Sequence, residues 1–172
     1  MTPRRGFSLI ELAVVMAILA IVAGVVVLRM HGPRQAVAMQ DVLDRLASLD
    51  RLARLHARGH DQPLRIVVDP ASGVVRRVEA KDGQAVGVAV ALPPGYRIQS
   101  VRVGADDPAG TSASIGVSRH GLSASYAVAI EGPAGQRKWM LIAGLTGEVT
   151  VWDDATQVRD ILDAIQGGHD AG

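Results

Sequence analysis

The apolar residues of this chain are unevenly placed. Residues 12–28 form a run of seventeen without a charge, Asn, Gln, Ser or Thr, and a shorter apolar approach begins at Phe7. From Phe7 to Leu28 is 22 residues. As a helix that segment is about 33 Å long, enough to cross the roughly 30 Å hydrocarbon layer of a membrane. Residues 35–60 read differently. Met39, Val42, Leu46, Leu49, Ala53 and His56 recur at spacings of three and four, with Leu43, Leu52 and Leu55 widening the stripe. That period predicts an amphipathic helix with Asp41, Asp44, Arg45, Asp50, Arg51, Arg54 and Arg58 on its solvated flanks. Asp50 and Arg54 stand at i, i+4, where a surface pair contributes a few tenths of a kcal/mol. Gly59 is the expected stop, and Gly32-Pro33 predicts a break from the preceding helix.

Beyond Gly59 the period shortens to that of strands. Leu64-Arg65-Ile66-Val67-Val68-Asp69, a Pro70-Ala71-Ser72-Gly73 turn and residues 74–80 form a predicted hairpin. Further strands are expected over residues 84–92, 96–103, 115–117, 125–130, 139–142 and 148–152, separated by Gly- and Pro-containing turns and a loop over 106–114. Asp153 or Asp154 caps a short amphipathic helix through Ile165, with Val158, Ile161, Leu162 and Ile165 as its apolar face. One long helix followed by many short antiparallel strands is an α+β plan.

Composition excludes several functions. There are no cysteines, so no disulfide, thiolate metal site or cysteine nucleophile. The five aromatic residues are scattered and make no base-stacking platform. Net charge is +1, and sixteen of the eighteen basic residues are Arg, which reads as genome composition more than function. No Gly-rich phosphate or dinucleotide loop occurs. His56 and His60 share a helix face without a third ligand, and the Asp106-Asp107 and Asp153-Asp154 pairs fit turns or caps, so no metal and no cofactor is expected. Ser118 near His120 fits a β-turn better than a catalytic arrangement. The chain reads as a non-enzyme.

The N-terminus carries the specific signal. A secretory signal peptide has a shorter apolar core and a small-residue cleavage site, and neither is present. A plain membrane anchor would not carry Glu11, since a carboxylate in hydrocarbon costs at least ~2–3 kcal/mol. Arg5-Gly6-Phe7-Ser8-Leu9-Ile10-Glu11-Leu12 resembles the processing and methylation motif of type IV pilins and type II secretion pseudopilins. The resemblance implies cleavage by a prepilin peptidase between Gly6 and Phe7, N-methylation of Phe7, and a role for Glu11 in setting register against the α-amine of a neighbouring subunit. It implies a leader at residues 1–6 on the cytoplasmic face and a transmembrane assembly helix at 7–28. It also implies a periplasmic pilin-like α+β domain at 29–166, whose long helix packs on antiparallel sheets, and a flexible tail at 167–172. The absence of Pro between Pro3 and Pro33 departs from the major subunits and points to a minor one.

The stretch from Asp50 to Gly59, the strand ending at Asp69 and the late Gly144-Leu145-Thr146-Gly147-Glu148-Val149 resemble minor pseudopilins of the H type. The implied function is a structural subunit of the type II secretion pseudopilus, which helps export folded proteins across the outer membrane. The implied partners are other major and minor pseudopilins, the prepilin peptidase, the inner-membrane secretion platform and, through residues 7–28, the membrane. The implied location is the bacterial inner membrane, single-pass, with the C-terminal domain in the periplasm. The alternative is a minor type IV pilin engaged in pilus assembly or DNA binding and uptake. Without the two leader arginines, 16 Lys+Arg face 17 Asp+Glu, a net charge of −1 that argues against nucleic acid as a partner.

Overall fold

The computed structural model describes residues 9–104 and 112–167. The chain divides between Met39 and Gln40 into two units. A single helix, α1 (Leu9–His60), contributes to both. In the first unit every described side chain over residues 9–24 is exposed, and nearly all of them are apolar. Among the described residues no helix is long and apolar enough to cross a membrane. The described apolar stretch ends at Gly24, and it is the sequence that carries the run to Leu28. Gly32 and Pro33 lie inside α1, where the sequence predicts a break. The proline removes one N–H and the hydrogen bond it would donate, and the helical bonds on either side carry the helix through.

The second unit sets residues 40–60 of α1 with two four-stranded antiparallel sheets and a short C-terminal helix. The strands are β1 (Leu64–Asp69), β2 (Val74–Glu79), β3 (Val90–Ala91), β4 (Arg97–Val103), β5 (Ala113–Val117), β6 (Tyr126–Glu131), β7 (Arg137–Ile142) and β8 (Val149–Trp152). The first sheet has the order β3-β2-β1-β5 and the second β4-β6-β7-β8. This is the α+β arrangement of a long helix on antiparallel sheets that the sequence predicts.

Local chemistry explains most boundaries. α1 ends one residue past Gly59. Asp61 takes a left-handed conformation (φ 52°), and the Gln62 N–H reaches back to the Ala57 carbonyl at 3.1 Å. That six-residue closure stops the helix. The predicted first hairpin forms with Leu64 opposite Glu79 and Asp69 opposite Val74. Asp69 Oδ1 accepts the Ala71 N–H at 3.0 Å and Oδ2 accepts the Ser72 hydroxyl at 2.7 Å, which fixes the turn. The expected strand over residues 84–92 is reduced to β3 and one bridge at Ala85. Gly87 turns the backbone to φ +71° between them and interrupts the ladder.

The α1 side chains Leu46 and Leu49 meet Ile66, Val68 and Val75 of the first sheet and Tyr126, Val128 and Met140 of the second. The space left among them is about 10 Å³, no more than one water molecule needs. Alternate residues of β6 and β7 face the other way. Ala127, Ala129, Trp139 and Leu141 form a second small core with Val158 and Leu162 of α2 (Ala155–Gly167). The C-terminal helix thus covers the outer face of the second sheet. Asp154 caps it, its Oδ1 accepting the Thr156 N–H at 2.8 Å. Asp153 pairs instead with Lys138.

Candidate functional site

Of the residues expected to carry processing and assembly, Gly6 and Phe7 lie outside the described residues. Glu11 lies in the first described turn of α1 and is exposed. A carboxylate there is favoured by the positive end of the helix dipole. Around it the helix surface is hydrophobic on all sides: Leu9, Ile10, Leu12, Val14, Met16 and Ile18 are all exposed. A helix apolar all round is stable only when something covers it, whether a membrane or other helices. Glu11 is therefore a single charge on a surface built to be covered.

The second cluster lies in the other unit, and the sequence reading misplaces it. Asp50 and Arg54 are not on a solvated flank: they are 1% and 4% exposed. Arg54 Nε donates to Asp50 Oδ2 at 2.7 Å. Its Nη1 donates to the carbonyls of Gly121 (3.0 Å) and Gly144 (2.6 Å), and its Nη2 donates to the Ser123 hydroxyl at 2.9 Å. The other Asp50 oxygen accepts the Tyr126 hydroxyl at 2.9 Å. One guanidinium thus ties α1 to the loop before β6 and to the β7–β8 turn. Such a pair survives burial because most of its donors and acceptors are satisfied. Burial, together with the adjacent Asp50 carboxylate, pushes the Tyr126 phenol well above its ordinary value of 10.0.

Glycines make the approach possible. A Cβ at Gly144 would collide with the Ser123 carbonyl and the backbone of Ala124 and Ser125. A Cβ at Gly147, whose φ is +73°, would come to 3.2 Å from the Arg54 side chain. The late Gly-Leu-Thr-Gly run is therefore shaped around Arg54. The signal available in the sequence was the co-occurrence of that run with an Asp–Arg pair on the helix. Leu52 and Leu55, which the stripe would bury, are instead half-exposed. The predicted stripe through Met39, Val42, Leu43, Leu46, Leu49 and Ala53 is buried, and it widens through Asp50, Arg54 and Ala57 rather than through Leu52 and Leu55.

The remaining polar groups have local duties. The His56 and His60 rings stack at 4.0 Å between centroids, and His60 Nδ1 lies 3.1 Å from the His56 carbonyl. Partial burial, then the neighbouring His60 and Arg77, lower the His56 pKa. Among the described residues no three His, Cys, Asp or Glu side chains stand together as a metal site. Ser118 Oγ accepts the Leu122 N–H at 3.1 Å, and Gly121 N–H bonds back to the Ser118 carbonyl, so the Ser118–His120 run forms a turn.

No curated protein matches the chain in sequence. Among solved structures, two of the minor pseudopilin EpsH from the type II secretion system of Vibrio cholerae are similar. The first is 15% identical with a TM-score of 0.46, covering 69% of this chain and 96% of its own. The second is 15% identical with a TM-score of 0.46, covering 70% and 94%. The family model of the prokaryotic N-terminal methylation motif matches residues 1–27, the same stretch that carries the resemblance to pilins and pseudopilins. By its N-terminal segment this chain carries the prokaryotic N-terminal methylation motif.

Proposed function

We propose that the protein is a minor pseudopilin, a structural subunit of a type II secretion pseudopilus that helps move folded proteins across the outer membrane. The carrying observation is the methylation motif followed by a helix that is apolar on all sides and bears one carboxylate. A prepilin peptidase removes residues 1–6 by cutting between Gly6 and Phe7, and Phe7 is N-methylated. Before assembly residues 7–28 rest in the inner membrane, with the α+β domain in the periplasm. During assembly the same helix packs against those of other pseudopilins, and the secretion platform drives the addition. The protein catalyses no reaction in this scheme.

Glu11 supplies register. Cleavage creates an α-amine at Phe7, four residues before Glu11. When apolar helices pack side by side, the Glu11 of one subunit and the amine of the next satisfy each other. An axial slip leaves two unpaired charges in a low-dielectric seam, which costs several kcal/mol. The expected result of mass spectrometry on the mature protein is an N-methylated Phe7 as the first residue. An intact Met1, or a cut near residue 28, overturns the proposal. A Glu11→Leu variant is expected to insert and be processed but to fail to enter filaments. Normal incorporation removes the register role.

A further inference from the structure

A groove of about 540 Å³ lies between α1 and the free edge of the first sheet. Its apolar lining is Leu49 and Leu52 from the helix and Val88 and Val90 from the edge. Leu52 is 50% and Val88 84% exposed, so these side chains lack cover. The edge itself is unusual. Residues 85–91 read Ala-Val-Gly-Val-Ala-Val-Ala, with no polar side chain, yet they are almost entirely exposed. Apart from being short, as β3 is, sheet edges are normally blunted by Lys, Pro or inward charges. Residues 85–91 contain none.

The backbone there is half-used. β3 pairs with β2 on one side and is the end strand of its sheet. Val90 lies opposite Val75 and Ala91 opposite Val74, and the Leu92 N–H donates to the Gly73 carbonyl at 2.9 Å. In an antiparallel ladder bonded positions alternate, so the N–H and C=O of Ala91 point away from β2. They are positioned to pair with an added strand.

Charge selects the occupant. Arg45 is engaged by Asp41 at 2.8 Å, and Asp44 accepts from Gln40 at 3.1 Å. Arg77 also lines the groove, its guanidinium against Gly87, and its Nε is buried without a hydrogen-bond partner among the described residues. A buried unpaired donor is costly, and a guanidinium is satisfied best by a carboxylate. A second copy docking edge to edge would offer Arg77 no carboxylate, since residues 85–91 carry none.

We propose that the β3 edge and its groove are a docking site for an extended segment of a different protein. The segment adds as a strand at Ala91, sends alternate aliphatic side chains into the groove and offers one carboxylate to Arg77. This goes beyond the filament reading and does not depend on it, since it concerns a surface remote in sequence from the methylation motif.

The test uses the full chain in lipid nanodiscs and a labelled blocked peptide, Thr-Val-Thr-Asp-Thr-Val, whose Asp shares a strand face with both Val residues, with a partner peptide carrying Lys for Asp. Fluorescence anisotropy is expected to show saturable binding of the acidic peptide, weaker by about tenfold or more for the Lys peptide. Arg77→Gln is expected to weaken binding of the acidic peptide by a similar factor. Ala91→Pro, which deletes the outward N–H, is expected to do the same. So is Val88→Glu, which offers Arg77 an internal carboxylate at a site too exposed to disturb folding. Unchanged tryptophan emission confirms that each variant is folded. Equal binding of both peptides, full binding by the Val88→Glu variant, or no binding up to about 1 mM peptide overturns the proposal. Self-association of the chain that Val88→Glu abolishes also overturns it, by making a second copy the occupant.

Discussion

Replacing Arg54 by Met removes the charge while keeping most of the side chain's length. The loss is then electrostatic and hydrogen-bonding rather than one of packing. Four hydrogen bonds disappear: those to Asp50, Gly121, Gly144 and Ser123. The Asp50 carboxylate is left in a site where its side chain is 2% exposed, with the Tyr126 hydroxyl on its far oxygen. Removing one member of a buried pair costs about 3–5 kcal/mol, and the orphaned Gly121 carbonyl adds up to about 1–3 kcal/mol unless water reaches it, while the Gly144 carbonyl keeps the Ser123 N–H. Taking the pair alone, at about 2–4 °C per kcal/mol for a chain of this size, the unfolding midpoint should fall by roughly 6–20 °C.

Near-ultraviolet circular dichroism through a thermal ramp reads this directly. Hydrogen exchange locates it. The Ser123 amide, bonded to the Gly144 carbonyl, and the Gly147 amide, bonded to the Ala143 carbonyl, should lose protection before the sheet amides do. The companion variant Asp50→Leu/Arg54→Met removes both charges and leaves no ion behind. It should recover a substantial part of the loss, because the penalty of the single change lies mainly in the stranded carboxylate. A midpoint shift below about 2 °C for Arg54→Met would refute the lock. A double variant as damaged as the two single changes added together would show that the residues act independently.

Three other outcomes follow from the same cluster and from the second core. The Tyr126 phenol is held well above its ordinary value by burial and by Asp50, so its contribution to stability is complete below about pH 10 and is lost as pH rises from there through the folded-state value. Alkaline denaturation should show this component, and Tyr126→Phe should abolish that part of the pH dependence. Gly144→Ala places a methyl group against the Ser123 carbonyl and the following backbone, and should lower stability by about 1–3 kcal/mol in urea unfolding. Gly116→Ala, where the new Cβ meets nothing within 4 Å, should be near neutral, and equal midpoints for the two would reject the steric account. Leu162→Ala removes one of the two fully buried anchors of α2, at a cost of about 2–5 kcal/mol. Because Trp139 and Trp152 are the chain's two tryptophans and both adjoin α2, their emission should shift to the red well below the unfolding midpoint. An unchanged spectrum would show that α2 is not seated there.

Legibility from sequence followed the range of the physics involved. The strands and the first hairpin were readable because period-two apolar spacing and the Pro-Ala-Ser-Gly turn are local properties. The expected strand over 84–92 failed because apolar content says nothing about pairing. Gly87 breaks the ladder, and among the described residues no strand lies beyond β3 to accept the edge. The break expected at Gly32-Pro33 failed because a proline costs a helix one hydrogen bond without forcing it to end. The methylation motif was legible because enzymes read it as linear sequence. The lock was not, because hydrophobicity ranks Arg and Asp as outward-facing wherever they fall.

That ranking assumes that burial and apolarity coincide, and on α1 they part. Leu52 is half-exposed one position before a buried Ala and two before a buried Arg. The helix turns a charged pair inward where the turn before β6 and the β7–β8 turn present the Gly121 and Gly144 carbonyls to one guanidinium. The same orientation turns Leu52 outward, toward the apolar edge at Val88. The buried Arg54 and the uncovered groove are thus two consequences of one helix orientation, and a change that rotates α1 to bury Leu52 must also take the Arg54 donor from the Gly121 carbonyl and leave the Gly144 carbonyl with the Ser123 N–H alone.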